Sequence, residues 1–302
     1  MTAARDTVLG VAQTPPTFDV PRNACDCHVH VFAPPDQFPF SAGRVYTPGV
    51  ASVDDLRSLQ RVLYLDRVVI TQASPYGVDN SCLLDALRRL HPRARGVAGV
   101  SSATAEAALE AMQEAGVRGV RVNLESHGQR DPAAARDLML GAASRVAAMG
   151  WHVQIYATLS VIAALHDTIL SLPTRVVVDH FGLAQAASGP AQPGFDTLLS
   201  LLRGGRIYVK LSAAYRISTQ DDYDDAAVMA RALIDANPDR ILWGTDWPHP
   251  GGISGEKRDP GRIEPFRPED DGRALNRLRR WVPDPAQLRK ILVENPAQLY
   301  GF

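Results

Sequence analysis

Eight short β-branched segments alternate with amphipathic stretches along most of this 302-residue chain, and that alternation constrains the fold more than any other feature. The segments are Ala24–Phe32, Arg67–Ser74, Arg95–Val100, Gly119–Leu124, His152–Ala157, Arg175–His180, Ile207–Ser212 and Arg240–Trp243. Between them lie Val53–Tyr64, Ser81–Leu90, Thr104–Ala115, Ala133–Met149, Leu159–Leu172, Phe195–Arg203 and Asp224–Ala236, with Gly272–Trp281 and Pro285–Glu294 after the last. Strands alternating with helices of this length argue for parallel βαβ units. Eight units in a chain of this size match a (β/α)8 TIM barrel better than an open doubly wound sheet. No Gly-x-Gly-x-x-Gly or Walker-type loop supports the open sheet. The pattern predicts one barrel domain over residues 22–302, preceded by an extended arm over residues 1–21 with prolines at 15, 16 and 21. The longest irregular piece, Pro248–Asp271, follows the last strand and reads as part of an active-site rim.

Composition narrows the partners. With 45% hydrophobic and 22% charged residues the chain reads as globular, and a net charge of −1 gives no reason to expect nucleic acid or an anionic membrane. No apolar stretch approaches the roughly 18 residues of a membrane span. Met1–Thr17 lacks the basic start and apolar run of a signal peptide. Cys25, Cys27 and Cys82 form no disulfide framework, which fits a reduced, cytoplasmic setting. The last two helices could pack on the barrel or on a neighbouring subunit, so a homo-oligomer stays open.

In such a barrel the active site is built from the C-terminal ends of the strands. His28 and His30 end the first segment. Residues two apart on a strand share a face, about 7 Å apart along the backbone. Ser74 ends the second, Arg121 and Asn123 lie on the fourth, Tyr156 ends the fifth, and His180 ends the sixth. Lys210 and Ser212 close the seventh, with Tyr215 and Arg216 just beyond, and Asp246 follows the eighth. A closed barrel brings these side chains to one mouth. An inward arginine such as Arg121 is costly unless it meets an anion. Asp179 reads as the cap of a strand-end turn, and His127 and Arg130 fall in a loop where exposure is the default.

Asp26-Cys27-His28-Val29-His30, Asp179-His180-Phe181-Gly182 and Gly244-Thr245-Asp246-Trp247-Pro248-His249-Pro250 resemble the amidohydrolase superfamily of barrel hydrolases. Phe38-Pro39-Phe40-Ser41 with Tyr46, Gln72-Ala73-Ser74, Trp151-His152-Val153 with Tyr156, and Asn295-Pro296-x-x-Leu299-Tyr300 narrow the resemblance. They are similar to the branch of predicted metal-dependent hydrolases that holds the 2-pyrone-4,6-dicarboxylate lactonases. The likeness runs from about residue 20 to the C-terminus.

The resemblance implies hydrolysis of a carboxylate-bearing lactone. Asp246 would be general base on water, with His28, His30 and His180 polarising the carbonyl. Arg121 and Arg216 would grip the substrate carboxylate. Ser74, Tyr46 and Tyr156 would complete the pocket, with His249 near the leaving group. The superfamily usually binds one or two divalent ions, but the fourth strand here offers Arg121 and Asn123 in place of the usual lysine, so a bridged pair is not expected. The resemblance implies metal-free chemistry. The alternative is one zinc or manganese on His28, His30, Asp246 and His180, in a hydrolase or decarboxylase. Where the dicarboxylate lactonases have a second arginine, this chain has His127, which implies a different lactone: a monocarboxylate, a sugar-acid lactone or a muconolactone type. A lactone isomerase with the same acid and base groups is a further reading, and a binding protein without chemistry is the least favoured.

Overall fold

The computed structural model describes residues 6–251 and 258–302. Residues 1–5 of the expected arm and 252–257 of the expected rim loop lie outside the described residues. The eight β-branched segments form eight parallel strands in sequential order: β1 Cys25–Val29, β2 Arg67–Thr71, β3 Ala94–Ala98, β4 Val117–Asn123, β5 His152–Tyr156, β6 Val176–Val178, β7 Ile207–Ser212 and β8 Ile241–Gly244. Closure between β8 and β1 comes just beyond the regular ladder. Asp246 N–H donates to the His28 carbonyl (2.9 Å) and His30 N–H to the Trp247 carbonyl (2.8 Å). The fold is a (β/α)8 barrel.

Closure demands close approach, which explains one glycine. A Cβ on Gly244 would sit 2.7 Å from His28 N and 2.8 Å from its Cβ. Asp26 staples the same seam from below, accepting from Thr245 N (3.0 Å), Thr245 Oγ1 (2.6 Å) and His28 N (3.1 Å).

Strand alternation stratifies the interior. Cys25, Cys27, Val69, Val97, Val177, Tyr208 and Leu242 pack with Tyr300 as an apolar layer. The next inward residues towards the C-terminal ends are polar: Thr71, Gln154, Asp179 and Lys210, all buried. On β1 simple alternation would turn Val29 inward. A register shift between Asp26 and Val29 re-aims the strand, so that His28 and His30 join the polar layer while Val29 joins the outer core.

The helices follow their patterns. In α1, Val53–Leu63, Ser52 and Asp55 form a reciprocal capping box, and Val53, Leu56, Leu59 and Leu63 bury one stripe against the barrel. The expected helix Leu159–Leu172 breaks at Leu165 into Leu159–Ala164 and His166–Ser171. Several strands are shorter than expected, so Ser74 opens a 3-10 turn, Ser74–Tyr76, instead of ending β2, and His180 opens another at His180–Leu183. Within the arm, Thr7–Val8 and Val11–Ala12 pair as a hairpin. The chain then ties to the helix Asp271–Trp281 through Thr14 N on Asp270 (2.9 Å) and Thr17 N on Asn276 (2.7 Å). Among the described residues no helix is long and apolar enough to cross a membrane.

Candidate active site

The mouth at the C-terminal strand ends collects the candidates around one carboxylate. Asp246, fully buried, divides its two oxygens between two environments. Its Oδ1 faces three imidazoles: His28 Nε2 at 3.4 Å, His30 Nε2 at 3.5 Å and His180 Nε2 at 3.8 Å. Its Oδ2 accepts from Tyr215 OH (2.6 Å) and from Arg216 Nη2 (2.7 Å) and Nε (3.2 Å). Burial alone would raise the Asp246 pKa. Arg216 and then His180 overcome it, holding the carboxyl well below its usual range. Burial keeps all three histidines below the ordinary imidazole value, His180 at about 4.

Backing groups orient each ring. His30 Nδ1 meets the Thr71 carbonyl at 2.8 Å. A carbonyl only accepts, so Nδ1 carries the proton and the neutral ring turns a lone pair towards Asp246. His180 Nδ1 lies 2.8 Å from Ser212 Oγ, a hydroxyl able to donate. His28 Nδ1 sits between Asp179 Oδ1 (3.2 Å) and Lys210 Nζ (3.3 Å). Where Lys210 or Ser212 donates, the ring's Nε2 is N–H, able to stabilise a developing oxyanion.

Beneath the rings lies a buried charge network. Lys210 Nζ donates to Gln154 Oε1 (2.7 Å) and faces Asp179 Oδ1 at 3.6 Å, while Gln154 Nε2 donates to Asp179 Oδ2 (3.1 Å). Arg121 Nη2 stands 3.6 Å from Asp179 Oδ2, and its Nη1 donates to the Gln72 carbonyl (3.2 Å). Asp179 therefore does not cap its turn. Its side chain points inward, and against the penalty of burial His28 and Lys210 hold it well below the usual carboxylate range. Burial in turn lowers Lys210.

The other expected residues fall at different depths. Tyr156 lies between the two arginines, its hydroxyl accepting from Arg216 Nη1 (3.2 Å) and its ring 5.5 Å from the Arg121 guanidinium. Tyr46 is buried under the Arg258 guanidinium (3.8 Å to the ring centroid). His249 is turned from the reaction space. Its Nε2 meets Asp271 at 3.1 Å and its ring edge packs on Tyr215. His127 is exposed on a 3-10 turn, Glu125–His127. Sequence patterns give no warning of Arg267, which stacks on the Tyr215 ring at 4.8 Å and lines the approach.

That approach is a cleft of about 610 Å³ lined by Glu125, Tyr156, Gln185, Tyr215, Arg216 and Arg267. A larger groove of about 890 Å³ sits among the loops before β2 and β3, lined by none of His28, His30 and His180, where Arg57 and Arg89 are already paired with Asp54. The site also concentrates unusual backbone. His180, Phe181, Ala213, Asp246 and His249 all have φ between 50° and 71°. Left-handed non-glycine residues each cost of order 1–3 kcal/mol and cluster at functional sites.

The donor set fits a divalent ion. His28 Nε2, His180 Nε2 and Asp246 Oδ1 are buried and find no hydrogen-bond partner among the described residues. His28, His30 and Asp246 form one group that could hold a metal, and His28, Asp179 and His180 another.

The amidohydrolase family model matches residues 25–302. The chain belongs to that family. This amidohydrolase is 36% identical to a 2-pyrone-4,6-dicarboxylate hydrolase from Comamonas testosteroni, over 94% of this chain and 92% of the relative. It is 34% identical to a 4-sulfomuconolactone hydrolase from Rhizobium radiobacter, over 95% and 93%. A probable 2-pyrone-4,6-dicarboxylic acid hydrolase from Acinetobacter baumannii, solved with citric acid bound, superposes with a TM-score of 0.77 at 26% identity, covering 93% of this chain and 100% of that one.

Proposed function

We propose that this amidohydrolase opens a carboxylate-bearing lactone. The observation that carries the reading is a buried carboxylate, Asp246, set between three imidazoles and Arg216, the arginine that lines the cleft. A base, oxyanion donors and anion-binding cations thus share one small volume. The names of the relatives support the class of reaction.

Asp246 takes a proton from water as the water oxygen attacks the lactone carbonyl carbon. His28 and His180, backed by Lys210 and Ser212, present N–H groups to the carbonyl oxygen as it becomes negative. Neutral His30, held by Thr71, accepts from and orients the attacking water. The tetrahedral intermediate then collapses, the ring C–O bond breaks, and the leaving oxygen recovers the proton from Asp246. Arg121 and Arg216 hold the substrate carboxylate, with Tyr156 on the cleft wall, while Tyr46 stays buried under Arg258. His249, held by Asp271, packs against Tyr215 from behind.

An ion, if bound, would be held by His28, His30, His180 and Asp246, where it would lower the pKa of a bound water. The fixed charges favour work without one. Three cations (Lys210, Arg121, Arg216) face two carboxylates (Asp179, Asp246), a balance that opposes another positive charge and welcomes an anionic substrate.

The test is turnover of a panel of carboxylated lactones (pyrone dicarboxylate, muconolactone, sugar-acid lactones), followed by acid release. Asp246→Asn should lower kcat by about 10²–10⁴ while substrate still binds. An active Asp246→Asn enzyme sinks the assignment of the base. No turnover across the panel sinks the function.

A further inference from the structure

Asp246 is unavailable as it stands. Its side chain is 0% exposed, and Arg216, at 18%, lies over it as the floor of the cleft. Three hydrogen bonds, from Tyr215 OH, Arg216 Nη2 and Arg216 Nε, already occupy Oδ2. Oδ1 is turned to the imidazoles. A water reaching the cleft meets a guanidinium before it meets the base.

The covering arm is built to be held in more than one way. Arg216 ends the 3-10 turn Ala214–Arg216, entered through Ala213 at φ 51°, a left-handed conformation that a side-chain-bearing residue adopts at a cost. Beyond Asp246, its guanidinium donates to Tyr156 OH (3.2 Å) and the Pro250 carbonyl (2.8 Å). Those neutral acceptors can keep the head group in the cleft when the carboxylate contact is given up. A planar guanidinium pairs equally well with any carboxylate that offers two oxygens.

Resting on the lactonase reading, we infer that Arg216 is a substrate-released latch on Asp246. The substrate's carboxylate draws the guanidinium away from Oδ2, leaving Tyr215 as the remaining donor and turning one face of the carboxylate to the cleft. The base is uncovered only when an anionic substrate is seated, so selectivity for carboxylated lactones is exerted on turnover as well as on binding. Arg216 is then a positioning residue with two alternating partners. A fixed anchor that holds substrate and Asp246 at once would behave differently.

Paired substrates separate the two. Muconolactone supplies a carboxylated lactone and dihydrocoumarin a neutral one, each assayed with wild type and with Arg216→Gln, after circular dichroism shows that the variant folds. Loss of the latch should raise kcat on dihydrocoumarin by about tenfold or more, the equivalent of one charged hydrogen bond removed, while kcat/KM on muconolactone falls. Arg216→Lys, which cannot present two nitrogens to Oδ2, serves if the glutamine variant does not fold, with the same direction expected. Unchanged or lower dihydrocoumarin turnover in a folded variant overturns the latch and leaves the lactonase reading intact. If wild type opens neither these two nor any carboxylated lactone of the panel, the lactonase reading fails and the latch fails with it.

Discussion

Replacing Lys210 by methionine tests the charge network beneath the histidines. Lys210 is fully buried, with Gln154 Oε1 at 2.7 Å and Asp179 Oδ1 at 3.6 Å. Methionine keeps an apolar stem of similar length, so the change removes the ammonium and little packing. Gln154 Oε1 loses a charged hydrogen bond, and Asp179 stays buried with one counter-charge fewer. Breaking a buried pair from one side costs about 3–5 kcal/mol. Arg121, 3.6 Å from the other oxygen of Asp179, keeps the loss near the low end, about 3 kcal/mol. For a chain of this size that lowers Tm by about 5 °C. Thermal melts by circular dichroism, paired with urea titrations, read it directly. Adding Asp179→Asn in the same background should recover about 1 kcal/mol or more, because a neutral amide needs no counter-charge. A Lys210→Met protein melting within about 1 °C of wild type would refute the argument that this ion pair is energetically coupled.

Three further outcomes are expected. Gly244→Ala places a methyl 2.7 Å from His28 N, so β1 must shift. Urea midpoints should register a loss of about 1–3 kcal/mol. His152, buried beside Tyr300 with neither ring nitrogen partnered among the described residues, is pushed by burial down to about 3. Its folded pKa lies below the unfolded value, so its contribution is fully present above about pH 6.5 and is lost as pH falls towards 3. The slope is about 1.4 kcal/mol per unit, and a His152→Phe protein should show a stability–pH profile flatter by that amount. Plasma mass spectrometry of protein purified without added metal should find substoichiometric zinc and manganese. One ion per chain would transfer oxyanion stabilisation from His28 and His180 to the metal.

Much of this was legible from periodicity. Alternation along β4, β5 and β7 turns Arg121, Tyr156 and Lys210 inward, Asp246 follows just past the end of β8, and a barrel requires inward residues at strand ends to meet. What the pattern could not show depends on tertiary detail. The register shift in β1 that aims His28 and His30 leaves no trace in residue type. Asp179 before a turn looks like a cap, because the Lys210 and His28 that claim it lie 31 positions ahead and 151 behind in the chain. The Arg216–Asp246 contact is invisible for the same reason: anion-binding arginines and catalytic carboxylates have the same local signature whether or not they pair. Leu165, which splits the expected helix, carries no breaker residue.

The ring of strands closes where the chemistry sits. Asp246 and His30 donate the two backbone hydrogen bonds that join the last strand to the first, and His28 accepts one of them. The weld that turns a sheet into a barrel also sets the gap between the base and the imidazoles. A misplacement of about 1 Å can cost a hundredfold in rate. Loosening at this joint therefore reaches the reaction long before it reaches the bulk of the structure. Such an enzyme falls silent while a spectrometer still reports it folded.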